Sequence, residues 1–315
     1  MKLLITFLFL ITFTHCVSAA NATPSSGKGI TDLMYFPEND VNYLMSGVKS
    51  YSQENIGKQA LTGNIVSTLE TDRLNAHVTY GRNLIDDIFF TAAINYDLNS
   101  DKTTTTGSTS QKTESGGFSE PVFEIKYRAL KEDIDKLIFD YKLALSPKLG
   151  AAETASLSQD GNHLRGGNEA RAGIEIGRRF LKYSLAVEAS FTYTAEREVT
   201  KLLDNSTTRV KNKMDYVMRV KAQYNFDENL FFRGALSFNS LGDYDERTDT
   251  TTTAIAYDTS ATYYLTVGYK LNADTALNLE YINNSVDRDV SQSGNLTNQE
   301  IKTSSINAFV QYQFE

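Results

Sequence analysis

Between residues 137 and 146 the chain changes character at every step. Leu137, Phe139, Tyr141, Leu143 and Leu145 hold one parity, and Ile138, Asp140, Lys142, Ala144 and Ser146 hold the other. A pleated strand turns successive side chains to opposite faces, so this pattern makes a ribbon with one apolar and one mostly polar face. The same period returns from Tyr183, where Tyr183, Leu185, Val187, Ala189, Phe191 and Tyr193 oppose Ser184, Ala186, Glu188, Ser190 and Thr192. It returns from Met214 and begins again near Leu74, Ile88, Pro121, Ala170, Leu230, Ala261 and Leu277. The final run sets Ile306, Ala308, Val310, Tyr312 and Phe314 against Ser305, Asn307, Gln311 and Gln313, with Phe309 the apolar exception on the polar side. Each stripe lasts about 9 to 12 residues, which suits a tilted membrane-spanning strand and exceeds the usual length in soluble sheets. A soluble sandwich or solenoid would bury the stripes against one another, but with shorter strands.

The connections come in two kinds. Short polar turns fall at 83–87, 131–135, 178–182, 226–229 and 272–275, and long Thr-, Ser-, Gly- and Asn-rich stretches at 99–117, 147–167, 196–212, 242–257 and 287–302. Another long connection near 54–62 makes six long and five short, which join twelve strands and leave both chain ends on one side. Short periplasmic turns and long external loops are the arrangement of an outer-membrane barrel. The expected fold is therefore all-β: a closed antiparallel up-and-down transmembrane β-barrel of about twelve strands over residues 41–315. Its opening strand, near 42–52, is the least patterned, because Tyr43-Leu44-Met45 is apolar on both faces. The second begins between Gln59 and Thr71, and ten strands result if that region folds as a plug. The threonine runs at 103–106 and 250–253 read as solvated loops. Aromatic residues cluster near the short turns (Tyr80, Phe90, Tyr127, Tyr183, Tyr224, Phe232, Tyr269, Tyr312) and again toward the loops (Tyr96, Phe191, Tyr216, Phe238, Tyr263, Tyr281). Two such belts mark the two membrane–water interfaces.

The N-terminus reads as a secretory signal. Lys2 precedes an apolar run over 3–13, and Val17-Ser18-Ala19-Ala20 offers small residues for cleavage, so residues 1–20 are expected to be removed. The run is shorter than the roughly 20 residues of a spanning helix. Cleavage would take away Cys16, the single cysteine, and with it any disulfide, thiol nucleophile or Cys-based metal site. Residues 21–40, with apolar Leu33-Met34-Tyr35-Phe36, read either as a periplasmic tail or as a small plug. A net charge of −8 argues against a nucleic-acid surface.

The polar parity defines the expected lumen. Its candidate lining residues are Glu124, Lys126, Arg128, Asp140, Lys142, Arg171, Glu175, Glu188, Asp215, Arg219, Lys221, Arg233 and Glu280. With Glu120, Glu169 and Lys270, this parity carries eight acids and eight bases. Charges inside a barrel must be paired or hydrated, and two readings stay open. One is a ladder of salt bridges that closes the lumen; the other is a pore with opposed acidic and basic walls. The implied partners are outer-membrane lipid and an unknown small solute, with no cofactor. His77 falls on the polar face and His163 in a long loop beside Asp160 and Asn162. A hydrolase would need one of them oriented against a nucleophile, and the expectation is that the chain is not an enzyme.

Two resemblances sharpen this. The ending Ala308-Phe309-Val310-Gln311-Tyr312-Gln313-Phe314-Glu315 resembles the terminal-strand signal read by the barrel-assembly machinery, with Val310, Tyr312 and Phe314 as its apolar parity and Glu315 as a departure. Gly116-Gly117-Phe118-Ser119-Glu120-Pro121, then Glu124-Ile125-Lys126-Tyr127-Arg128, then Leu143-Ala144-Leu145-Ser146-Pro147-Lys148, is similar to the outer-membrane transporter family of the MetA-pathway phenol-degradation type. It departs at Ser119-Glu120, where that family more often has Gly-Asp. The resemblance implies a bacterial outer-membrane barrel that passes small solutes, apolar compounds among them. The alternatives are a structural or surface-interaction barrel with a closed lumen, and an outer-membrane hydrolase.

Overall fold

Strict alternation of apolar and polar residues leaves each strand one face to keep from water, and the chain resolves this by closing on itself. The computed structural model describes residues 30, 31, 33–37, 40–130, 137–156, 160–180, 182–248 and 251–315. The expected signal peptide and the short turn at 131–135 lie outside the described residues. Within them are eighteen strands and no helix. In chain order these are β1 Asn42–Gln59, β2 Ile65–Ile85, β3 Ile88–Thr106, β4 Thr109–Phe118, β5 Val122–Leu130, β6 Leu137–Ser146, β7 Ala152–Thr154, β8 Glu169–Arg179 and β9 Tyr183–Thr194. There follow β10 Arg197–Lys201, β11 Ser206–Val210, β12 Lys213–Asn225, β13 Leu230–Ser240, β14 Tyr244–Arg247, β15 Thr252–Tyr257, β16 Ser260–Lys270, β17 Thr275–Gln292 and β18 Asn295–Phe314.

Twelve of the described strands form a closed antiparallel ring: β1, β2, β3, β5, β6, β8, β9, β12, β13, β16, β17, β18 and back to β1. The register fixes the size of the ring. Stepping through partners from Asn42 leads to Arg82, Phe90, Ile125, Leu143, Ala172, Phe191, Tyr216 and Ser240. Continuing in register through β16 to Asp287, opposite Glu300, the path re-enters β1 at Ile56, fourteen residues beyond Asn42. Twelve strands with that shear tilt by about 39° and give a backbone radius of about 12 Å, from the standard strand rise and spacing.

The apolar parity lies outside. Along β5, Phe123, Ile125 and Tyr127 are exposed, while Lys126 and Arg128 on the alternate positions are buried. The outward aromatics form the two expected belts, and Tyr183 and Tyr224 face each other in register near the short turns. Phe309, the exception in the last strand, points inward beside His77, with ring centroids 6.3 Å apart. Gly47 opposite it makes room: a Cβ there would lie 2.5 Å from the Phe309 Cβ.

The long connections are more ordered than the sequence suggests. The threonine run at 103–106 belongs to β3, which pairs with β4, and β10–β11 form within 196–212 and β14–β15 within the described part of 242–257. β1 continues to Gln59, past the expected end near 52, and β17 and β18 run on to a two-residue turn at Ser293 (φ 50) and Gly294 (φ 84). Two consecutive left-handed residues make the turn whose twist matches a β-hairpin. No apolar stripe announces these extensions, since both faces of a hairpin above the membrane are wet. Threonine suits a strand through its branched Cβ.

The extensions also join sideways. β15 pairs with β17, β14 with β15, β11 with β14, β10 with β11, and β7 runs parallel to β10. Asn162 N–H donates to the Glu153 carbonyl beside β7, and Gly161 bridges to Ser115 of β4. Together with the upper parts of β17, β18, β1, β2 and β3, this makes a collar of backbone hydrogen bonds around the loop end of the barrel.

Candidate functional site

The lumen is where polar side chains converge. All thirteen lining candidates lie on strands of the ring, on the inward parity. Their charges are distributed unevenly around it. Twelve of the thirteen stand on the wall from β5 to β13; Glu280 is across the barrel on β17, 3.5 Å from the Thr266 hydroxyl. The far wall carries Lys49, Arg73 and Asp97 besides Glu280, among the uncharged Asn278, Gln311, Ser305 and Thr262.

Near the short-turn end, Arg128 grips both oxygens of Asp140 at 2.8 and 2.9 Å, and Lys126 stands 3.6 Å from the same carboxylate. One level up, register sets Lys126 opposite Lys142 and Glu175 opposite Glu188. Like charges directly across a ladder repel, so stability requires diagonal partners. Lys142 supplies one, 2.6 Å from Glu175 and 3.1 Å from Glu188. Lys221 supplies the other, 2.9 Å from Glu175 and hydrogen-bonded to Glu188. Gly173 sits opposite Lys142, and a Cβ there would lie 2.9 Å from the Ser190 Cβ. Higher still, Arg171 pairs with Glu124 at 3.0 Å, and Asp215 with Lys213 at 2.9 Å. Between β5 and β6, Lys126 thus meets Asp140, while Glu124 and Lys142 find partners on β8 and β9.

Above the Lys142–Glu175–Lys221–Glu188 square lies a cavity of about 210 Å³, lined by Glu124, Lys142, Arg171, Gly173, Glu188, Ser190, Arg219 and Lys221. Arg219 is held there by the Ser237 hydroxyl at 2.7 Å and the Tyr264 hydroxyl at 3.2 Å, its guanidinium 4.8 Å from the Tyr264 ring centre. Alternation alone did not single out Ser237 and Tyr264, although both sit on the polar parity.

The short-turn mouth is filled by the chain itself. Ile30, Thr31, Met34 and Phe36 are buried, with Ile30 and Phe36 packed on Tyr43, Phe89 and Ala276, and Met34 on Ile138 and Ala186. Barrel cations satisfy the segment's backbone carbonyls: Arg128 donates to Met34, Lys126 to Tyr35 and Arg233 to Thr31. Phe36 lies under Arg128 and Lys126, 4.6 and 5.5 Å from its ring centre. Arg233 is further held by Gln223.

At the other mouth the loop after β6 folds inward. Glu120, counted among the luminal acids, instead accepts backbone hydrogen bonds from Arg165 (2.7 and 2.8 Å) and Gly166 (2.9 Å). His163 Nδ1 lies 3.1 Å from Asp97, which also accepts from Asn75. Burial of the ring holds the His163 pKa below its ordinary value against the opposing pull of the Asp97 carboxylate, with Arg73 adding to the depression. His77 pairs with Asn307 at 2.9 Å. Val310, Tyr312 and Phe314 sit on β18, the strand that closes the ring against β1. Pro121 directly precedes β5 and Pro147 directly follows β6, where a missing N–H costs the ladder nothing.

A family model described as an outer membrane protein beta-barrel domain matches residues 143–314. No curated protein matches the chain. Among solved structures, the chain is similar to the COG4313 outer membrane channel from Pseudomonas putida F1, at 9% identity and a TM-score of 0.62 over 90% of this chain and 98% of that one. It is also similar to the transport unit of the autotransporter AIDA-I from Escherichia coli, at 9% identity and a TM-score of 0.57 over 90% and 93% of the two chains. At such identities the likeness is one of fold.

Proposed function

The chain belongs to the outer membrane protein beta-barrel domain family, and from that premise we propose that it is a passive outer-membrane channel for small solutes. The observation that carries this reading is the open, charged cavity at mid-depth, where Arg171 keeps nearly half of its side chain exposed inside the barrel. A lumen that served stability alone would favour packed or fully paired side chains. The COG4313 protein is described as a channel, and the sequence resemblance to the MetA-pathway transporter type points the same way. In this reading the short turns and the 30–37 segment face the periplasm, residues 1–20 are a cleaved signal, and β18 carries the assembly signal. The buried Arg128–Asp140 pair and the filled mouth favour a second reading, a structural barrel with a sealed lumen.

Planar-bilayer recordings separate the two. The channel reading expects discrete conductance steps from the protein refolded without residues 1–20, and larger ones when residues 21–37 are also removed. Silence from both proteins, each still migrating faster unboiled than boiled, would leave the sealed barrel standing.

A further inference from the structure

The cations around the mid-lumen cavity are not equivalent. Lys142 and Lys221 are shared between Glu175 and Glu188, and Arg171 is bound to Glu124. Those three carboxylates are thereby neutralised. Arg219 differs: its hydrogen bonds go to the Ser237 and Tyr264 hydroxyls, and among the described residues no carboxylate bonds to it. With Glu175 beneath the cavity counted, four cations face three carboxylates that are all engaged, and Arg219 is the surplus charge.

We propose that this cavity is an anion-binding station on the solute path, taking small carboxylates with Arg219 as the anchoring cation. The inference rests on the channel reading for its role in transport, but the site itself does not require passage. The Ser237 and Tyr264 hydroxyls accept two of the five guanidinium N–H groups and the Tyr264 ring fixes its plane, leaving the remainder of the fork for a carboxylate. Charge-assisted, planar pairing of this kind is the strongest recognition a lumen of polar side chains offers an anion. A zwitterion gains less, because each nearby carboxylate is committed to lysine or arginine. The volume, about 210 Å³, holds a short carboxylate and its remaining water, at about 30 Å³ per water. Low-dielectric walls concentrate the surplus positive potential in the cavity, although the whole chain is acidic.

Two measurements test the proposal on the refolded barrel. Saturation-transfer NMR with acetate in detergent is expected to show binding that weakens about tenfold in Arg219→Gln, the equivalent of one charge-assisted hydrogen bond, and is partly kept in Arg219→Lys. Reversal potentials across a potassium chloride gradient are expected to favour chloride, with the preference reduced in Arg219→Gln. Equal acetate binding by wild type and Arg219→Gln, or none in either, overturns the station. Conductance with no chloride preference overturns it too, while the channel reading survives. Arg219-dependent acetate binding by a barrel that never conducts upholds the site and sinks the channel instead.

Discussion

Arg128 and Asp140, on neighbouring strands, form a two-pronged ion pair whose side chains are 3% and 0% exposed. Removing one member of a buried pair strands the other. Asp140→Ala is expected to cost roughly 3–5 kcal/mol of barrel stability, read as a lower urea midpoint for loss of the fast-migrating unboiled band. Replacing both residues by apolar ones of similar size should cost less, because no guanidinium is stranded, although Lys126 still loses its carboxylate partner.

The 30–37 segment should undock before the barrel unfolds. Phe36 supplies both its apolar contact with Phe89 and the ring beneath Arg128 and Lys126. Phe36→Ala should weaken docking by about 3 kcal/mol, the low end for a buried phenylalanine. The expected readout is faster proteolysis of the N-terminal segment with the gel shift of the barrel unchanged. Unaltered cleavage would mean that the segment is held by its backbone carbonyls alone.

Glu120 pins the inward-folded loop by accepting the Arg165 and Gly166 amides. Glu120→Ala would leave those amides without their acceptor, costing about 1–3 kcal/mol locally. Cleavage within 147–167 by an added protease should rise accordingly. Gly166, at φ +79 with a built Cβ 2.8 Å from the Ala152 N, should tolerate alanine poorly at the same spot.

The same loop should loosen on acidification. Burial depresses the His163 pKa, Asp97 opposes the depression, and Arg73 reinforces it. The backbone of Ser115 also favours the protonated ring, but burial outweighs both it and Asp97. With the folded value below the unfolded one, the loose state takes up a proton at a higher pH than the docked state does. Docking is therefore strongest above the ordinary histidine pKa of about 6.5 and weakens as pH falls below it. Hydrogen exchange at 160–166, corrected for intrinsic rate, should rise between pH 7.5 and pH 5 in the wild type and lose that dependence in His163→Gln.

Residues that meet the membrane were readable because their solvent differs on the two sides. Phe123, Ile125 and Tyr127 alternate with Glu124, Lys126 and Arg128, and that contrast sets both strand and facing. Where both faces are wet, as in β4, β10 and β14, the contrast vanishes, so those strands read as loops. The inner wall was legible as a set of charges but not as a pattern of partners. Register alone sets Glu175 against Glu188, and the ammonium groups that reconcile them come diagonally from β6 and from β12, two different hairpins. Parity likewise put Glu120 in the lumen, although its partners are two amides in a loop whose path no alternation records.

The collar at the loop end has a consequence for what the cell surface presents. Its strands are paired along the rim, and Gly161 and Asn162 tie the loop beyond β7 to β4 and back to β7. Among the described residues, a visiting peptide therefore finds only short rows of vacant amides and carbonyls, such as the outer edge of β4 before Glu114, to extend as a fresh strand. Antibodies, phage tails or neighbouring cells would have to recognise this protein by the side chains at its hairpin tips, which can vary without disturbing the hydrogen-bonded hoop beneath them.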